Sequence, residues 1–119
     1  MRPYLHTDLL WIEPIAKKYG EWPQLLHTLT YGLIGIVEEP YAIMMVYLDE
    51  HGIAVAGLAD KEGMRPLIKL SRFIAEMAQK KDMELHGHWE KGSWQEKLAI
   101  KNGFIFNGRG YHILEKKEG

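Results

Sequence analysis

Cysteine is missing from all 119 residues, which excludes disulfides, thiolate nucleophiles and zinc–sulfur sites together and leaves the redox compartment open. No apolar run approaches the roughly 20 residues that cross a bilayer. The opening MRPYLHTDLLW lacks the basic stretch and long apolar stretch of an export signal. The expectation is a cytoplasmic protein with no membrane partner. Neither sign of charge is in excess, since the formal net charge is -1. The basic pairs Lys17-Lys18, Lys80-Lys81 and Lys116-Lys117 are scattered rather than striped, so no specific nucleic-acid partner is expected. Internal repeats and low-complexity segments are also absent.

What is present is the composition of a globular chain, 46% hydrophobic and 26% charged, with enough length for one domain around one core. After a short opening strand, residues 4–31 predict two helices. Asp8 is placed to cap the first, although Pro14 equally allows a start near Trp11–Glu13; Gly20 ends it, and Pro23 suits the first turn of the second. The pattern then changes to three β-prone runs, Leu33–Val37, Tyr41–Leu48 and Ile53–Leu58, divided by Glu38-Glu39-Pro40 and Asp49-Glu50-His51-Gly52. Connections this short predict an antiparallel meander, because parallel neighbours need a longer crossover. The central run is apolar almost throughout and is expected to be covered on both faces.

Residues 66–81 carry the clearest helical period, with Leu67, Leu70, Ile74 and Met77 on one face and lysines at the end. A strand at 83–89 follows. The segment SWQEKLAIKNGF, 93–104, has a marked beginning and end: Ser93 and Glu96 fit a capping box, and Asn102-Gly103 closes the helix before Phe104–Phe106 resumes as a strand. Asn107-Gly108-Arg109-Gly110 predicts a turn into a last strand, Tyr111–Glu115. The fold class is therefore α/β, with a mixed, mainly antiparallel sheet flanked by helices.

The segment ELHGHWE is the most unusual polar cluster. On a strand, His86 and His88 share one face, while Leu85, Gly87 and Trp89 share the other. Two neighbouring imidazoles suit a metal or a general base, and ordinary partly buried or surface histidines are the plainer reading. A metal needs a third ligand such as Glu90, Asp60 or His112, and no spacing forces one into place. Asp60 and Glu62 follow the third meander strand, where a carboxylate can take a proton from an amine or simply solvate a turn. Trp89 is expected in the core. Trp94 is a candidate for packing, for a pocket wall or for a subunit contact, which leaves a homodimer open.

The element order, the opening RPYLHTDLLWI and the segment EKLAIKNGFIF resemble the GNAT acetyltransferase superfamily. Leu98, Gly103 and Phe104 match its late Gly-Phe segment. The chain also looks like the small divergent GNAT-like proteins of tailed phages, some of which are virion components. The resemblance implies transfer of an acetyl group from acetyl-CoA to an amine substrate. It implies that backbone at 53–60 lines the pantetheine, that Gly63, Arg65 and Lys69 meet the phosphates, and that Asp60, Glu62 or His86 is the base. Two departures are visible. The family's glycine-spaced phosphate loop, in which successive amides point at the anion, is here ADKEGMRPLIKL, with Gly63 as its one glycine and Pro66 donating no amide. The tyrosine that protonates the leaving thiolate in many members falls on Ala99, with Tyr111 and Tyr47 as conceivable substitutes. A non-catalytic GNAT-like protein with a protein partner is the alternative.

Overall fold

A computed structural model describes residues 1–115; the Lys116-Lys117 pair lies outside them. Strand β1 (Arg2–Pro3) leads through a short 3-10 turn into helices α1 (Leu9–Lys18) and α2 (Trp22–Tyr31). The meander follows as β2 (Ile34–Glu38), β3 (Ala42–Asp49) and β4 (Gly52–Ala59). Helix α3 (Met64–Lys80), β5 (Leu85–Gly87), α4 (Trp94–Lys101), β6 (Ile105–Phe106) and β7 (His112–Leu114) complete the chain. The seven strands form one mixed sheet in the order β1-β2-β3-β4-β5-β7-β6, in which only β4 and β5 run parallel. Helix α3 makes the crossover between those two.

The sheet is buried on both faces at its centre, as the unbroken apolar run of β3 requires. Met44 and Val46 point to one side with Val55, where Leu67, Leu70 and Ile74 of α3 and Ala99 of α4 cover them. Ile43 and Met45 point to the other side with Leu58, under Ile12, Ile15 and Ala16 of α1 and Leu25 of α2. Leu70 is wholly buried and Ile74 nearly so. Truncating either to alanine would cost about 2–5 kcal/mol, the usual range for a core aliphatic.

Helix boundaries follow local chemistry. α1 starts at Leu9, and Pro14 lies inside it. The missing amide leaves the Leu10 carbonyl without its i+4 donor, a small loss because Leu10 is 83% exposed and water can replace it. Asp8 precedes the helix without capping it. Its carboxylate instead accepts two bonds from the Arg2 guanidinium, at 2.9 and 2.6 Å, and one each from the Leu5 amide and the Trp11 indole, both at 2.8 Å. α3 begins two residues earlier than its period suggests, because Pro66 is still within the first turn, where no intrahelical amide is needed. α4 begins where its sequence marks it: Ser93 Oγ accepts from the Glu96 amide at 3.2 Å.

Three strands are shorter than expected, β6 and β7 by one and two residues. The strand expected at 83–89 is reduced to Leu85–Gly87. Trp89 folds back and seats its indole against Gly87, at a place where a Cβ would collide with the ring.

Candidate functional site at the fork between β4 and β5

β5 pairs with β4 at a single register position, Ala54 opposite His86. Beyond it β4 continues to Ala59 while the chain after Gly87 leaves the sheet, so the two parallel strands fork. A cavity of about 50 Å³ lies in the fork on the α3–α4 face. Val55 and Gly57 of β4, Leu67 and Ser71 of α3, and Trp89, Trp94 and Leu98 are among its walls. Trp89 is held there edge-on to Phe104 and His112, with ring centres 5.0 and 5.5 Å apart. The volume suits a water or two, against roughly 300–1,000 Å³ for ordinary ligand sites.

The opposite face of the fork is polar. His86 projects there from β5 and is buried; His88, just past the strand, shares its face and is exposed. His86 Nε2 lies 2.8 Å from each carboxylate oxygen of Asp49, the last residue of β3. His88 Nε2 lies 3.5 Å from Asp49 Oδ2. The contact spans an intervening strand. Ala54 of β4 pairs with Tyr47 on one side and His86 on the other, while Asp49 stands opposite Gly52, so the contact crosses β4 diagonally beside the small Ala54 methyl and a glycine with no side chain. His51, in the β3–β4 turn, donates its backbone amide to Asp49 Oδ1 at 2.7 Å. Its ring stacks on Tyr111 at 4.4 Å, and Tyr111 is 5.4 Å from the His86 ring. Burial works to raise the Asp49 pKa, but the bonds from His86, the His51 amide and His88 outweigh it and hold the carboxyl below its ordinary value.

The other sequence candidates stand elsewhere. Asp60 follows the far end of β4, six residues from Ala54, or about 20 Å at ~3.3 Å per residue. Its carboxylate accepts from the Lys61 amide at 2.8 Å, the Tyr19 hydroxyl at 2.9 Å and Lys18 Nζ at 3.2 Å. Those bonds, the Lys61 amide foremost, lower its pKa and make it a weaker base. Glu62 is exposed in the adjoining turn. Gly63 is buried, and a Cβ there would strike the Tyr41 carbonyl, so close packing under β3 accounts for this glycine. Its amide donates to Asp60 O at 2.8 Å and so does not face a ligand. Arg65 and Lys69 line a groove of about 390 Å³ on the outer side of α3, with Met1, Arg72 and Phe73. Lys69 is paired there with Glu38 at 2.9 Å. Ala99 is buried in the core, and Glu90 and His112 are not among the groups around His86.

His112 belongs to a second buried pair on the α3–α4 face. Its Nε2 meets Glu96 Oε2 at 2.7 Å, while Glu96 Oε1 accepts from the Gly92 amide at 2.9 Å. The reciprocal half of the expected capping box is therefore not formed: the Ser93 amide bonds the Glu90 carbonyl, and the Glu96 carboxylate takes the Gly92 amide and holds β7 to α4. Asp49 and the Glu96–His112 pair had no sequence signal beyond an acid in a turn and an acid in a cap. Asp49-Glu50-His51-Gly52 reads as turn solvation unless the diagonal reach across β4 is known.

No family model matches the sequence, and no curated protein matches it.

Proposed function

We propose that the protein is a divergent GNAT-like N-acyltransferase that moves an acetyl group from acetyl-CoA to an amine. The observation that carries this reading is the fork itself: parallel strands that part after Ala54 and His86, an apolar cavity on one face and an Asp49–His86 pair on the other. Bound acetyl-CoA would supply the thioester carbonyl, the amine forming a C–N bond as the C–S bond breaks and the thiolate leaves to take its proton from water. His86 accepts the proton released by the amine. Asp49 fixes the imidazole and stabilises the cation that results. Asp60, tied to Lys18 and Tyr19, serves the turn after β4 in this reading.

A second reading has its own support. The small cavity, the indole seated on Gly87 and the engaged Gly63 amide favour a non-catalytic GNAT-like protein, of the kind found among phage virion components, acting through a protein interface. Tryptophan fluorescence separates the two, because Trp89 and Trp94 both line the cavity. Titration with acetyl-CoA and desulfo-CoA is expected to give a saturable change. With an accepted amine, His86→Gln should abolish transfer while binding persists, and Asp60→Asn should retain both. No binding at millimolar cofactor would end the transferase reading and leave the interface protein.

A further inference from the structure

The polar face of the fork has more histidine than a general base requires. Around one carboxylate stand His86, His88 and the turn residue His51, with ring centres of the three imidazoles 5.6–6.2 Å apart. Among the described residues no lysine or arginine is paired with Asp49; its side-chain partners are imidazoles. Two of these imidazoles, those of His86 and His88, bring a ring nitrogen to the same carboxylate, and imidazole and carboxylate are both metal-ligating groups.

We propose that Asp49, His86 and His88 bind a divalent transition-metal ion of the zinc class. Two imidazoles and one carboxylate are a ligand set for such ions, and three protein ligands leave a further position open beside His51 and Tyr111. One donor atom from each residue lies within 4.8 Å of the other two. Ligand atoms at about 2.0–2.1 Å from a tetrahedral ion are about 3.3 Å apart. The His86–Asp49 separation of 2.8 Å and the His88–Asp49 separation of 3.5 Å bracket that value, so rotation of the exposed His88 ring closes the set. The carboxylate is already oriented by the His51 amide, the outer support that ligating carboxylates ordinarily have. His86 is fixed by ladder bonds to β4 and β7. The site stands whether or not the fork transfers acyl groups. Where it does, an ion on His86 Nε2 takes the place of the proton shared with Asp49 and makes the ring a poorer base, so metal would inhibit.

Cobalt(II) titration of the metal-free full chain tests this. The expected result is uptake of one equivalent at micromolar protein, with visible ligand-field absorption that zinc displaces. His88→Ala should weaken binding by at least about tenfold, and Asp49→Asn likewise. His88 is 47% exposed, so its variant folds and decides the matter even where Asp49→Asn does not. His27→Ala, on α2 and outside this ligand group, should bind as the parent does. Absence of stoichiometric uptake, or uptake unchanged in His88→Ala, overturns the proposal.

Discussion

His112 Nε2 lies 2.7 Å from a carboxylate oxygen of Glu96, and both residues are buried between α4 and β7. The Gly92 amide pulls the Glu96 pKa down, burial opposes it, and His112 adds to the lowering. A depressed carboxylate stabilises the fold above its unfolded pKa, about 4.5, and that contribution is lost as pH falls through the lower folded value. Removing one partner of a buried pair leaves the other uncompensated. Glu96→Ala should therefore lower the melting temperature by about 10 °C, and its stability should fall less steeply below pH 4.5 than that of the parent.

The Arg2–Asp8 pair ties β1 to the start of α1. The guanidinium bonds, opposed by burial and helped by the Leu5 amide and Trp11, hold the Asp8 carboxyl far below its ordinary value of 3.8. Asp8→Ala should cost about 2–3 kcal/mol in urea unfolding, since several charge-assisted bonds are lost with the carboxylate. Its sign with pH is the same: the contribution is present above 3.8 and declines on acidification below it.

Ala54→Leu places a branched side chain beside the His86–Asp49 contact. Overpacking of this kind costs about 1–3 kcal/mol. The His86 ring resonances should shift as the 2.8 Å contact is broken, and the proposed cobalt uptake should weaken. A His86 spectrum unchanged by the substitution would contradict the crossing beside Ala54.

Gly63→Ala puts a methyl into the Tyr41 carbonyl. The expected loss is about 1–3 kcal/mol, because backbone must move to relieve it. If Gly63 served only a ligand, thermal stability would be unchanged and binding alone would suffer.

The long elements were legible because one period repeats many times. Leu67, Leu70 and Ile74 define α3, and the short turns at Glu38–Pro40 and Asp49–Gly52 leave the meander no other arrangement. β5 was not legible to its true length. The alternation in ELHGHWE is the same for a long strand and for a short one whose tryptophan turns back on its glycine; the choice is made by packing with Phe104 and His112. His86 could be singled out, but its partner could not. Asp49 lies 37 residues away, and the contact depends on registers at Tyr47, Ala54 and His86 together. Ser93 was legible as the cap of α4, but the Glu96 carboxylate turns to the Gly92 amide and to a buried partner 16 residues later that the local pattern does not show.

A single register position at Ala54 and His86 makes the sheet two panels with a seam. β1–β4 form one, and β5, β7 and β6 the other. Across the seam, cohesion comes mainly from apolar side chains, Leu85 and Leu114 packing with Val55, Leu70 and Ala99, rather than from a ladder. Hydrogen-bonded ladders and apolar contacts respond differently to temperature, and burial of apolar surface weakens on cooling. Cooling should therefore loosen the seam more than the panels, whose strands also have ladders to hold them. Amides of β5 and β7 should lose exchange protection relative to those of β3 as the protein is chilled, an inversion that a continuously paired sheet would not display.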